Sequence, residues 1–190
     1  MGQADPDSIL QRFTGEVQAV RGDVHVSNIS QLVTTILEIA RGPGEVALSG
    51  ASLLNDLELG ANLTAQGQIT FGPNGVNHED LIARLEEAAA GITCVDYALA
   101  ETGTLALSSD EPGALLVSLL PPVHIAIVRR SQIYSTLDEV IDRLGNQLVN
   151  HEAAGRSVSF ITGPSRTSDV ELVLSIGVHG PKELHVIVIE

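Results

Sequence analysis

An α/β fold built on a mostly parallel, open sheet flanked by helices is predicted for this chain by three observations. Strand-like and helix-like segments alternate, most clearly after residue 78. The run Val123–Val128 is almost continuously apolar, as expected of a strand covered on both faces. Apolar residues make up 44% of the 190 positions but aromatics only 3%, so the core must be mainly Leu, Val, Ile and Ala. That length suits a single domain, 1–190, with a core of useful size, and neither an internal repeat nor a linker interrupts it.

Taken in order, residues 7–20 form a weakly amphipathic helix, with Ser8 and Gln11 spaced as a capping box. Val24-His25-Val26 alternates like a short strand. Ile29, Leu32, Val33, Ile36, Leu37 and Ala40 recur at helical spacing until Gly42-Pro43. Glu45–Ser49 reads as a strand and Ser52–Leu59 as a short helix. Residues 60–78 are rich in loop-forming Gly, Pro and Asn and are expected to be irregular. His78–Ala90 is a helix, Ile92–Leu99 and Leu105–Ser108 are strands, Asp110–Gly113 a turn and Leu115–Leu120 a further strand. Ser135–Asn150 is a helix capped by Ser135 or Thr136, with Leu137, Val140, Ile141, Leu144 and Leu148 as its stripe. The carboxy-terminal part reads as a βαβ unit: strands at Val158–Thr162 and Leu184–Ile189 around a short helix-like segment.

Composition excludes several functions. With 24 acidic against 10 basic residues the formal charge is −14, and no basic stripe with interleaved aromatics exists, so nucleic acid is not expected as a partner. No segment approaches the roughly 18 consecutive apolar residues that span a bilayer. The start, MGQADPDS, is acidic and has no signal-like apolar region, so a cytoplasmic location is expected. Cys94 is the single cysteine and its neighbours are apolar, which suits a small buried hydrophobe and rules out a disulfide or cysteine cluster within this chain. No metal site or cofactor is expected. His25, His78 and His151 lack partners at metal spacing, and His179 with His185 lacks a carboxylate cage. His124, within a strand, reads as a hydrogen-bonded core residue.

Three loops could carry chemistry. Glu101-Thr102-Gly103-Thr104 joins two apolar strands and offers one carboxylate and two hydroxyls, and open α/β sheets bind ligands at the carboxyl ends of their strands. A tight turn with Gly103 at positive φ explains the same residues. Gly163-Pro164-Ser165-Arg166-Thr167 could hold a carboxylate or phosphate through Arg166 and the hydroxyls. Ser168 and Glu171 fit a capping box for the following segment, and Asp169 offers Arg166 an internal partner. Neither a Walker pattern nor a nucleophile elbow is present. His179-Gly180-Pro181-Lys182-Glu183 contains the only lysine and could serve proton transfer or anion binding, or could simply form a solvated turn.

Four ordered segments add a resemblance. Val95–Leu105 (VDYALAETGTL), Leu119–Ile125 (LLPPVHI), Ile161–Glu171 (ITGPSRTSDVE) and Gly177–His185 (GVHGPKELH) resemble the LutC/YkgG family of lactate-utilisation proteins, over roughly the carboxy-terminal half. The resemblance implies a LUD domain similar to the NagB/RpiA/CoA-transferase superfamily. It also implies a bacterial role in oxidising L-lactate to pyruvate beside iron–sulfur partner subunits, with this chain as the cluster-free component. Glu111-Pro112-Gly113-Ala114 departs from the pattern, having no basic residue where many relatives carry arginine. The candidate catalytic residues are then Glu101 and Lys182, and a small anionic ligand would meet Thr102, Gly103, Thr104, Gly163, Ser165, Arg166, Thr167, His179 and Gly180. The alternatives are an independent CoA-transferase-like or sugar-phosphate enzyme, with Glu101 as nucleophile or base, and a non-catalytic small-molecule-binding module.

Overall fold

Strand and helix periodicities sort the apolar residues of this chain onto the two faces of one central sheet. The computed structural model describes residues 5–41, 44–108, 113–150, 157–168, 174–176 and 180–190. Helix α1 (Pro6–Ala19) starts on a proline, whose missing N–H costs nothing in a first turn, and buries Phe13 and Val17. Ser8 is therefore inside the helix and does not cap it. Strand β1 (Asp23–Ser27) leads to α2 (Ile29–Ile39), capped by the Asn28 side chain, which accepts from the Gln31 N–H at 3.0 Å. Next come β2 (Val46–Leu48), α3 (Ser52–Asp56), α4 (Leu59–Ala65), β3 (Thr70–Phe71), α5 (His78–Glu87) and β4 (Ala90–Cys94). The expected irregular stretch after residue 60 is thus partly ordered, because Leu59 and Leu63, one turn apart, are both buried.

The predicted strand Ile92–Leu99 is two strands in two sheets. β4 ends at Cys94, the chain turns at Val95-Asp96, and β5 (Tyr97–Leu99) begins elsewhere. Gln132 Nε2 donates to the Val95 and Asp96 carbonyls at 3.2 and 3.1 Å, and the Asp96 carboxylate accepts from the Ser108 N–H at 2.7 Å, which stabilises the turn. β6 (Thr104–Ser108) follows. Leu115–Leu120, expected as a strand, is the helix α6 (Ala114–Leu119), with Ala114, Val117 and Ser118 buried at helical spacing. β7 (Val123–Arg129), a 3₁₀ turn (Arg130–Gln132), β8 (Ile133–Tyr134), α7 (Leu137–Asn150) and β9 (Val158–Ile161) complete the middle of the chain. At the start of α7 the Glu139 N–H donates to Thr136 Oγ1 and the Ser135 N–H to the Glu139 carboxylate, so both expected capping residues take part.

The carboxy-terminal part is not a βαβ unit. β10 (Arg166–Ser168) and β11 (Leu174–Ile176) form an antiparallel hairpin, and β12 (Glu183–Ile189) joins a different sheet from β9. Leu172, Leu174, Ile176 and Val178 recur at a spacing of two, the strand period that competes with the helical reading. Ser168 therefore belongs to a strand; its expected capping partner Glu171, and Asp169, lie outside the described residues.

Six parallel strands make the central sheet in the order β1-β12-β7-β4-β2-β3. Ile125, Ile127, Ile187 and Ile189 face α2 and α4 with Leu32, Ile36, Leu59 and Leu63. Ala126, Val128, Val186 and Val188 face the other way, against Phe13 and Val17 of α1 and Ala98 and Leu105 of the second sheet. That second sheet runs β8-β5-β6-β9 and is mixed. The near-continuous apolar reading of β7 follows from this double cover. Cys94 is buried in the α2-side core. Among the described residues no helix is long and apolar enough to cross a membrane.

Candidate functional site

Glu101–Thr104 forms the tip of the hairpin joining β5 to β6. Leu99 and Thr104 are register partners, leaving Ala100–Gly103 as the loop. Gly103 adopts φ +63°, and a Cβ there would lie 2.5 Å from the Val17 nitrogen of α1. Both the conformation and the close approach of a helix backbone demand glycine. Thr102 Oγ1 is 2.8 Å from Thr104 Oγ1, which is 2.7 Å from Thr162 Oγ1 at the end of β9. Three hydroxyls thus form a chain from the exposed Thr102 through the buried Thr104 to Thr162.

The next loop extends this surface. Gly163 has φ +80°, and a Cβ would stand 2.7 Å from the Val20 carbonyl oxygen at the end of α1. The Arg166 guanidinium donates to that same carbonyl, placing a cation at the negative end of the helix dipole. The Ser165 N–H donates to the Pro181 carbonyl at 2.9 Å, and a Cβ on Gly180 would lie 3.0 Å from the Ser165 Cβ. The Lys182 N–H donates to the Pro122 carbonyl at 2.8 Å, and its side chain is exposed. Thr167 contributes its backbone to the pairing of β10 with β11. His179 lies outside the described residues.

The structure therefore brings Thr102, Gly103 and Thr104 together with Gly163, Ser165, Arg166, Gly180 and Lys182 along one edge. It is not the expected edge. Gly180 and Lys182 lead into β12, and the Lys182 N–H meets Pro122 just before β7, so relative to the central sheet this surface lies at the amino ends of its strands, opposite the carboxyl edge that serves ligands in most open α/β sheets. Two open grooves among the described residues, about 1480 Å³ between α1 and α7 and about 700 Å³ between α2 and α4, are lined by none of these residues. Glu101 turns away from the hydroxyl chain: its Oε1 accepts from the Leu137 N–H at 2.6 Å, at the first residue of α7. A carboxylate there offsets the positive helix end and anchors α7 to the hairpin.

Histidines divide into two environments. His124 is fully buried, its Nε2 lies 2.8 Å from Thr93 Oγ1, and its Nδ1 has no hydrogen-bond partner. Burial pushes its pKa down to about 4, so the ring is neutral at physiological pH. This agrees with its expected place in the core. His25 and His185, by contrast, meet each other: His25 Nε2 is 3.2 Å from His185 Nδ1. The two are 160 residues apart in sequence, so only the pairing of β1 with β12 could reveal the contact.

The architecture defines the class: an α/β protein with an open parallel sheet, a smaller mixed sheet packed on one face, and a glycine- and hydroxyl-lined surface where the two meet. It belongs to the LUD domain family, whose model matches residues 10–189. Lactate utilization protein C 1 of Bacillus mycoides is 34% identical over 187 residues, covering 97% of this chain and 80% of that protein. Lactate utilization protein C of Halalkalibacterium halodurans is 39% identical over 112 residues, 59% of this chain and 49% of that one, and its Bacillus subtilis counterpart is 39% identical over 103 residues, 54% and 43%. The matched region thus spans about half the length of these last two relatives or less. A crystal structure of a DUF162 family protein from Deinococcus radiodurans superposes with a TM-score of 0.75 at 24% identity, covering 99% of this chain and all of that one, and shares the fold.

Proposed function

We propose that this protein is a component of a bacterial lactate-utilisation system, acting in the cytoplasm in the oxidation of L-lactate to pyruvate. The observation that carries this reading is the similarity to a lactate utilization protein C along 97% of the chain. Residues 1–190 are then one LUD domain. Lactate oxidation releases two electrons and two protons, and one cysteine cannot hold an iron–sulfur cluster, so the electrons pass to partner subunits that do.

Within that assembly the amino-edge surface serves a small anionic ligand. Arg166 and Lys182 supply positive charge, and Thr102, Thr104, Ser165 and the backbone around Gly163 and Gly180 supply hydrogen bonds. Glu101 positions α7 beneath this surface, and its carboxylate is engaged where a free nucleophile would have to be available. The test is deletion of the coding sequence in its host, with growth on L-lactate as sole carbon source and affinity purification of the tagged protein. Loss of growth together with recovery of iron–sulfur proteins is expected. Normal growth, or purification without any iron–sulfur protein, overturns the assembly reading.

A further inference from the structure

Four strands end the two larger sheets, and their edges differ. β3 and β8 are two residues long and β9 is four, whereas β1 runs for five, Asp23–Ser27. Shortness, proline and lysine are common guards against pairing with another chain, and β1 has none of them. Its only neighbour among the described residues is β12. Apolar side chains stand beside the open edge: Val26 is 52% exposed and Ile29 59%.

The register shows which backbone groups of β1 are turned outward. Ser27 pairs with Ile189, and the Glu190 N–H donates to the Ser27 carbonyl at 3.2 Å, so Ser27 points its polar groups towards β12. Successive residues of a strand alternate in this respect, so Asp23 and His25 point inward too. The N–H and C=O groups of Val24 and Val26 then face outward, with no partner among the described residues. The sequence of β1 can satisfy them itself. Laid antiparallel against a second copy and centred on His25, Val24 of each chain meets Val26 of the other, and every outward group is bonded. A shift of two residues either way sets a valine against Gly22 or Asn28, outside the strand.

Side-chain chemistry agrees with that register. On the α1 face valine meets valine, and on the α2 face Asp23 meets Ser27, so no like charges stand opposite. His25 leans inward, its Nε2 3.2 Å from His185 Nδ1, which leaves the centre open for close approach. The geometry points to a second copy of this chain as the occupant of the β1 edge. Two β1 strands pair about a two-fold axis at His25 and join the six-stranded sheets of both protomers into one. Such an interface uses the same patch on both copies, so it closes as a dimer and does not propagate. Each copy carries a formal charge of −14, so repulsion opposes the pairing and salt favours it.

Sedimentation equilibrium of the full chain tests this. The mass should rise from 20.0 kDa towards twice that value through the micromolar range, and pairing should strengthen between about 0.05 and about 0.5 M sodium chloride. Val26→Pro removes an outward N–H from each copy and spares the bonds to β12, so it should weaken pairing roughly tenfold or more with an unchanged circular dichroism spectrum. The register has its own readout. Residues opposite each other in a non-hydrogen-bonded antiparallel pair have Cα atoms about 4.5 Å apart, within disulfide reach. Cys94 is buried, so His25→Cys should give a covalent dimer under mild oxidation, and Val26→Cys should cross-link far more slowly. A natural chain that stays at 20.0 kDa throughout leaves the edge to a different protein and overturns the assignment. So does a folded Val26→Pro chain that pairs as before, or Val26→Cys cross-linking as fast as His25→Cys.

Discussion

His124 and His185 sit on neighbouring strands at the same level of the sheet, and they could hardly differ more. His124 is the register partner of Leu184, so His185 is the next residue along, turned to the opposite face. The α1 face is roofed by the second sheet, and there a ring nitrogen is left without a partner and the proton is driven off. On the α2 face only β1 lies outside β12, and the ring meets another imidazole and two carboxylates. The cover over each face, not the residue type, decides whether a histidine is sealed into the core or joins a polar cluster at the margin of the sheet.

The largest test of this contrast is to lift the roof. Gly103→Ala forces a methyl against the α1 backbone at a left-handed position, and a loss of about 3–5 kcal/mol is expected in urea unfolding. A loss below about 1 kcal/mol would show that α1 yields freely. Next comes acid. His124 titrates near 6.5 when unfolded and about 4 when folded, so the unfolded chain binds the extra proton as pH falls between those values. Its contribution is therefore complete above pH 6.5 and is lost towards pH 4, for a total of about 3 kcal/mol. His124→Leu should flatten that part of the stability–pH curve, and an unchanged slope would assign acid sensitivity to other groups.

Smaller effects sharpen the comparison at the surface where the two sheets meet. Thr104→Val removes the middle of the hydroxyl chain and should cost about 1–2 kcal/mol, read as a lowered denaturation midpoint. Glu101→Gln retains a hydrogen-bond acceptor for the Leu137 N–H but loses its charge, so roughly 0.5–1 kcal/mol is expected with lactate growth preserved; loss of growth in a stably folded variant would restore Glu101 to the chemistry. Lys182→Ala, on an exposed side chain, should change stability by less than about 0.5 kcal/mol, so impaired lactate growth there reads as ligand contact.

Periodicity made the central sheet legible. β7 and β12 are apolar on both faces because both faces are covered, and α2 and α7 show their stripes openly. Errors arose where short segments allow two periods. Leu115–Leu120 is apolar enough for either element, and burial of Ala114, Val117 and Ser118 chose the helix. The sequence from Leu172 to Val178 suits both, and pairing with β10 makes Leu174–Ile176 a strand. The candidate loops were recognisable by composition, and their convergence was not, since it depends on Thr104 reaching Thr162 and Ser165 reaching Pro181 across the fold. The edge they occupy was misjudged because the rule for open sheets is applied strand by strand, and β5 ends in a different sheet. The His25–His185 contact left no local trace.

β12 has a consequence for how this protein is made. It lies between β1 and β7, yet it follows both in sequence, and among the described residues β1 has no other neighbour in the sheet. During synthesis from the amino terminus, β1 must wait with an unpaired edge while about 155 residues emerge. Closing that longest of loops is slow, and until it closes the exposed Val26 and the open backbone of β1 are a template for mispairing with other chains. A chain cut before Glu183 would leave the same edge unsatisfied, which makes the pairing of β12 the checkpoint between folding and aggregation.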